Sequence, residues 1–178
     1  MAVPNSSPNP RVGVSVAAER LSRENRPDNA VVQALRRQVA NAFLLYANYK
    51  RYHWQAFGPL FRDVHKLFDE LADEVLASID PLAERVRMIG PDPPTHPLEW
   101  IKLASVSVAA PLPTMRHMVE EADRNVLLVI TEMREGASVA DEQNDPGTVD
   151  LFSRTVQIHE RHEWWLRDIL RSGDGLLS

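Results

Sequence analysis

Five side chains in the first half of the chain are of the types that bind borderline transition metals. They comprise two histidines and three carboxylates: His53, His65, Asp69, Asp80 and Glu84. Mixed imidazole and carboxylate ligands suit Fe(II), Mn(II) or Zn(II), and a carboxylate can bridge two such ions. Because the chain contains no cysteine, thiolate metal sites and cysteine nucleophiles are excluded. The residue types therefore favour metal chemistry held by nitrogen and oxygen ligands.

The spacing of four of these residues predicts a site that two subunits share. Each residue turns an α-helix by about 100°, and the four fall on one face of a predicted helix, within an arc of about 100°. Asp69 and Asp80 are nevertheless about 16 Å apart along that helix, too far to bind one ion. The inner pair Asp69 and Asp80 and the outer pair His65 and Glu84 are centred on the same point. An antiparallel copy of the helix would therefore complete two identical sites across a two-fold axis.

Apolar residues recur at helical spacing over four long stretches, which predicts four long amphipathic helices. We expect them to run from an N-cap at Asp28 or Asn29 to about His53, from Leu60 to about Val86, from about Pro113 to a break at Gly136 or at 141–146, and from 148 or 149 to Leu170. The first two form a hairpin about Gly58-Pro59, which brings His53 to the same region as His65.

The four stretches predict an all-α fold, a four-helix bundle of the ferritin-like type. A proline-rich connection joins the second helix to the third, with room for one short extra helix over 98–106. No segment has a convincing strand pattern. Residues 1–29, which carry four prolines and little apolar periodicity, are expected to be a flexible tail, followed by the bundle over 30–172 and a short C-terminal tail over 173–178.

Composition limits the class of protein. Of the 178 residues, 44% are apolar and 25% are charged, which is typical of one globular domain. No apolar run is long enough for a membrane span, and no export signal is recognisable, so we expect a cytoplasmic protein, with the nucleoid as an alternative location. The net charge of −5 argues against a chain built mainly to neutralise phosphates.

The motifs resemble those of the Dps family (DNA-binding protein from starved cells), the mini-ferritins. The resemblance covers 30–172 and rests on the spacing of the five ligand candidates, "HW" at 53–54, "LAER" at 82–85 and "EWWLR" at 163–167. It implies a hollow homo-dodecamer, built from two-fold dimers, that oxidises Fe(II) with hydrogen peroxide or dioxygen. Such a cage stores ferric oxide and protects DNA from hydroxyl radicals.

The resemblance also implies roles for individual residues. His53, His65 and Asp69 of one subunit would bind iron together with Asp80 and Glu84 of the other, with zinc as a competitor. Trp54 would lie beside the iron as an electron donor. One acidic run falls where the family builds its three-fold pores for iron entry: Asp141, Glu142, Asp145 and Asp150. A second acidic group, on the second helix, would nucleate the mineral: Glu70, Asp73 and Glu74.

Three features of the sequence leave alternatives open. Pro81, directly after Asp80, would either kink the second helix or break it, with Asp80 as an N-cap. His159 and His162 would either join the metal site or be structural histidines. The N-terminal tail has arginines but no lysine, whereas DNA-binding members usually carry lysine-rich extensions, so DNA binding stays open.

Two other functions fit the sequence. One is a nucleoid-compacting protein whose arginine tail binds DNA phosphates and whose metal site is vestigial or occupied by zinc. The other is a purely structural bundle without bound metal.

Overall fold

The computed structural model describes residues 29–111 and 114–171. Within these ranges the chain forms five helices and no strand: α1 (Ala30–Gln55), α2 (Phe61–Ile89), α3 (Pro97–Leu103), α4 (Met115–Glu142) and α5 (Pro146–Ile169). Helix α1 packs along α2, α4 packs along α5, and the two hairpins face each other through α1 with α4 and α2 with α5. The predicted all-α four-helix bundle, with a short helix in the long connection, is confirmed. Of the predicted tails, all of 1–29 except Asn29 and the whole of 173–178 lie outside the described residues.

No helix within 29–111 and 114–171 is both long enough and apolar enough to cross a membrane.

The apolar stripes of the four long helices meet in one core. Its largest fully buried side chains include Tyr49 and Tyr52 of α1, Phe68 of α2 and Phe152 of α5. Burying a side chain of this size contributes roughly 1.5–3 kcal/mol. Gly136 of α4 lies at a close approach between helices, since a Cβ atom there would be 2.9 Å from the Phe152 ring. Helix α4 runs without interruption through Gly136 to Glu142, so the predicted break at Gly136 is wrong.

The ends of the other helices decide two further alternatives. Asn29, not Asp28, is the N-cap of α1, and its Oδ1 accepts a hydrogen bond from the Val32 N–H at 3.0 Å. Helix α2 continues through Pro81 to Ile89, so the interpretation of Asp80 as an N-cap is wrong. The Pro81 side chain is exposed, so its ring takes no part in the packing of the bundle core. The short helix α3 ends at Leu103, three residues earlier than expected.

Two buried asparagines of α1 hold the long connection against the bundle. The Asn41 Oδ1 accepts hydrogen bonds from the backbone N–H groups of Ser105 and Val106, and the Asn48 Oδ1 accepts one from that of Ala109. Asn41 and Asn48 are two helical turns apart, so both face the same extended segment. These amides satisfy backbone donors that would otherwise be buried without partners.

An ion pair between Arg85 of α2 and Asp145 joins the start of α5 to α2. Helix α5 begins at Pro146, two or three residues earlier than expected, because Asp145 caps it and accepts hydrogen bonds from the Thr148 N–H and hydroxyl. The Arg85 guanidinium donates a hydrogen bond to the same carboxylate. Burial raises the pKa of Asp145, but the hydrogen bonds from Thr148 and the charge of Arg85 outweigh it, so the net pKa lies below its usual range.

Removing this cap should destabilise the protein. We expect Asp145→Ala to lower the free energy of unfolding by about 1–2 kcal/mol, because it removes an N-cap and leaves Arg85 without its partner. Asp145→Asn, which retains the cap but not the charge, should cost less. Thermal unfolding of the two variants beside the wild-type protein measures both effects, and equal midpoints in all three would contradict the assigned role.

Two histidines of α5 lie in the core. His159 and His162 are 1% and 0% exposed, with ring centroids 5.7 Å apart. The His162 Nε2 lies 2.7 Å from a carboxylate oxygen of Glu74 on α2, which also accepts a hydrogen bond from Arg161. Neither ring nitrogen of His159 has a hydrogen-bond partner in the described structure. Burial lowers the pKa of His159 to about 3 and also lowers that of His162.

The buried His159 should make the protein sensitive to acid. Unfolded histidine binds a proton below about pH 6.5, whereas folded His159 does so only near pH 3. Between these values the unfolded state binds more protons, so stability should fall as the pH falls, by up to about 1.4 kcal/mol per pH unit for this group.

Unfolding measured from pH 7 to pH 4 in the wild type and in His159→Gln tests this expectation. The variant should show a shallower loss of stability, whatever its stability at pH 7. Parallel pH profiles would show that His159 does not cause the loss.

Candidate metal centre

Helices α1 and α2 bring three of the predicted ligands together at the turn of their hairpin. A short connection that contains Gly58, with a φ of 88°, joins the two helices. His53 in the last turn of α1 and His65 in the second turn of α2 then stack, with ring centroids 3.7 Å apart and planes inclined by 20°. Asp69 follows His65 by one helical turn, on the same face of α2.

Crossed hydrogen bonds fix both imidazole rings. The His53 Nδ1 lies 2.7 Å from the backbone oxygen of His65, and the His65 Nδ1 lies 2.7 Å from the backbone oxygen of His53. A carbonyl oxygen can only accept, so each Nδ1 is the protonated nitrogen and donates. Each Nε2 then carries the lone pair, as in metal-binding histidines whose other nitrogen is held by a carbonyl.

The Asp69 carboxylate is ionised beside these rings. Its Oδ1 accepts a hydrogen bond from the Lys50 Nζ at 2.5 Å and lies 3.8 Å from the His53 Nδ1. The hydrogen bond from Lys50 is the main cause that lowers the pKa of Asp69, and the same bond raises the pKa of Lys50. Two imidazoles, one carboxylate and one ammonium group thus form a half-site with ligands for a transition metal.

Asp80 and Glu84 lie elsewhere on α2. Both are exposed, and eleven helical residues separate Asp80 from Asp69, which is about 16 Å. Asp80 borders a groove of about 420 Å³ between α1, α2 and the proline-rich connection, where the rings of Phe43 and Trp100 stack at 3.8 Å. No three histidine or acidic side chains of 29–111 and 114–171 are grouped closely enough to hold a metal ion. A single subunit therefore presents the two halves of the ligand set separately.

Three exposed aromatic side chains lie within four residues of His53 or His65 in sequence. Trp54, next to His53, is 72% exposed, and the exposed Phe61 packs its ring 5.0 Å from that of His65. Phe57 in the connecting turn is also exposed. Large exposed apolar side chains near one another are typical of an interaction site.

The remaining predicted residues lie away from this half-site. His159 and His162 are in the bundle core, where His162 contacts Glu74 rather than His53, His65 or Asp69. Asp145 caps α5, and Asp150 forms an ion pair with Arg154 at 2.8 Å. Three of the other acidic candidates are exposed: Asp141, Glu70 and Asp73. The roles of these residues in a pore or in nucleation stay predictions.

Sequence reasoning did not identify Lys50 as part of this region. Lys50 precedes His53 by three residues and so lies on the same face of α1. That spacing was the available signal, but a lysine on an amphipathic helix usually faces solvent. The crossed carbonyl bonds of the two histidines involve backbone atoms and leave no signal in the sequence.

Comparisons with known proteins agree with this architecture. The family model described as ferritin-like domain matches residues 32–175. "DNA protection during starvation protein 2" of Bacillus anthracis is 32% identical over 140 residues, which are 79% of this chain and 96% of the relative.

Solved structures show the same similarity. Dps from Thermosynechococcus elongatus is 47% identical, with a TM-score of 0.80 over 83% of this chain and 94% of that one. A Dps protein from Vibrio cholerae, described as a member of a broad superfamily of ferritin-like diiron-carboxylate proteins, is 26% identical. Its TM-score is 0.76, over 79% of this chain and 89% of that one. This chain belongs to the Dps family of ferritin-like proteins.

Proposed function

We propose that this protein oxidises Fe(II) and stores the product as ferric oxide, and that it protects DNA by removing iron and peroxide together. One observation carries the proposal: the His53 and His65 rings are fixed with Nε2 free for a metal, beside the ionised Asp69. The relative in Bacillus anthracis is named for DNA protection during starvation. The Vibrio cholerae neighbour is described as a diiron-carboxylate protein, which supports iron as the metal.

The proposed site forms between two subunits. His53, His65 and Asp69 of one subunit would face Asp80 and Glu84 of another, with the two α2 helices antiparallel. Three features support this arrangement: the symmetric spacing on α2, the exposure of Asp80 and Glu84, and the distance of about 16 Å along α2 between Asp69 and Asp80. A two-fold pairing would use both halves of each subunit and give two equal sites. Six such dimers would make the homo-dodecameric cage of the family.

The chemistry consumes iron as substrate. Two ferrous ions each give one electron to one hydrogen peroxide, whose O–O bond breaks, and two protons complete two water molecules. The Nε2 lone pairs of the two histidines and the carboxylate oxygens would bind the ions, and bridging carboxylates would hold them close together. Because both electrons reach one peroxide at one site, no hydroxyl radical is released. Dioxygen is the alternative oxidant.

Other residues would assist this reaction. Trp54, exposed beside His53, would supply an electron when only one ferrous ion is bound. Asp141 and Asp150, both exposed, would guide iron through a pore, whereas Asp145 would serve there as the cap of α5. Zinc would compete for the same imidazole and carboxylate ligands.

Removing the carboxylate half should abolish the activity. We expect the variant Asp80→Ala with Glu84→Ala to oxidise Fe(II) in the presence of peroxide at the rate of buffer alone, because the remaining half-site cannot hold two ions. Asp92→Ala removes an exposed carboxylate of the connection, whose side chain is 88% exposed, and should keep the wild-type rate. The ferric absorbance after mixing measures the rate, and light scattering confirms that each cage is assembled. A wild-type rate in the double variant would refute the assigned ligands.

Sharing of the site between subunits can be tested by co-assembly. His65→Ala and Glu84→Ala should each be inactive alone, since every site lacks one ligand. In a mixed dimer, one site carries both changes and the other carries neither. Random co-assembly should therefore restore about a quarter of the sites.

The two variants are refolded together, and their oxidation rate is compared with that of a mixture of the separately assembled cages. No recovery on co-assembly would indicate a site within one chain.

A further inference from the structure

We propose that Lys50 is a built-in counter-ion of the histidine half-site, which a metal ion must displace from Asp69 in order to bind. This inference rests on the proposed function, because it takes Asp69 as a metal ligand. It adds a residue that sets the metal affinity of the site without being a ligand itself.

The contact between Lys50 and Asp69 is direct. The Lys50 Nζ lies 2.5 Å from the Asp69 Oδ1, and the side chains are 21% and 45% exposed. Lys50 belongs to α1 and Asp69 to α2, so the bond crosses the hairpin that also carries His53 and His65. Charge-assisted hydrogen bonds are stronger than neutral ones, and partial burial reduces the competition from water. The cation thus occupies one of the two oxygens with which Asp69 could bind a metal.

The position of the carboxylate supports displacement rather than assistance. Its Oδ1 approaches His53 at Nδ1, at 3.8 Å, and this nitrogen is already bonded to the backbone oxygen of His65. A metal bound by His53 would lie at Nε2, the nitrogen that the backbone does not hold. We therefore expect Asp69 to release Lys50 when it joins the same ion.

Displacement of Lys50 from Asp69 would lower the affinity of the half-site for every cation. An incoming cation must compensate for the loss of the ammonium contact, so cations that bind weakly are disfavoured. Transition metals gain bonds to imidazole nitrogen as well as to the carboxylate, whereas Mg²⁺ and Ca²⁺ prefer oxygen ligands alone. Lys50 would therefore favour transition metals over these abundant cations. It would also keep the Asp69 charge compensated when no metal is bound.

The test is the affinity for Co(II), whose visible absorption reports imidazole and carboxylate binding without any oxidation step. Metal-free cages of wild type, Lys50→Met, Lys50→Arg and Lys66→Met are titrated with Co(II). Lys50→Met keeps the apolar stem and removes the charge, so its Kd should be about tenfold lower than that of wild type. Lys50→Arg should stay near wild type.

A control separates displacement from a general effect of charge. Lys66, next to His65 in sequence, is exposed, and Lys66→Met removes a positive charge near the same half-site. Its Kd should stay within about threefold of wild type, because exposed charges interact weakly through water. If Lys50→Met fails to assemble, Lys50→Gln provides the second test of the same charge removal.

The outcomes distinguish the inference from the function on which it rests. Asp69→Asn should weaken Co(II) binding, and wild-type binding in that variant would overturn both the assignment of Asp69 as a ligand and the role of Lys50. If Asp69→Asn weakens binding but Lys50→Met leaves the Kd unchanged or raises it, only the counter-ion role is overturned. The ion pair of Lys50 with Asp69 would then serve only to stabilise the packing of α1 on α2 or to position the carboxylate.

Discussion

The crossed hydrogen bonds between His53 and His65 are the constraint on which the candidate site depends. Each ring is held by the backbone of the other residue, so the end of α1 and the start of α2 cannot shift independently without losing a ring orientation. The bonds also choose the tautomer, since Nδ1 must donate. The half-site is therefore organised without a metal, which would reduce the reorganisation that metal binding requires.

Helix α2 imposes the second constraint, because it carries both halves of the proposed ligand set on one rigid element. Its continuity through Pro81 fixes the distance between Asp69 and Asp80 at roughly three turns. A broken helix could have folded Asp80 and Glu84 back towards the histidines within one chain. A continuous helix cannot do so, and a complete ligand set would therefore require a second subunit.

The sequence predicted the helices well because their apolar stripes are long and regular. It predicted the grouping of His53, His65 and Asp69 for the same reason, since helical spacing and a short turn determine their positions. The sequence did not predict the hydrogen bonds by which Asn41 and Asn48 hold the segment between α3 and α4. Nor did it predict the ion pair between Arg85 and Asp145. All these contacts join residues that are distant in sequence. Residue types alone do not say which buried polar group meets which backbone segment.

Four of the six histidines, His53, His65, His159 and His162, show why residue type and spacing alone cannot assign a ligand. His159 and His162 share a helical face, as ligands would, but they are buried, and His159 makes no hydrogen bond through either nitrogen. Burial lowers the pKa of His159 to about 3 and so keeps its ring neutral. His53 and His65 are partly exposed, and each has its Nδ1 held by a backbone carbonyl and its Nε2 without a backbone partner. What separates the two pairs is the backbone acceptor opposite Nδ1, a feature of the α1–α2 hairpin rather than of the histidines themselves.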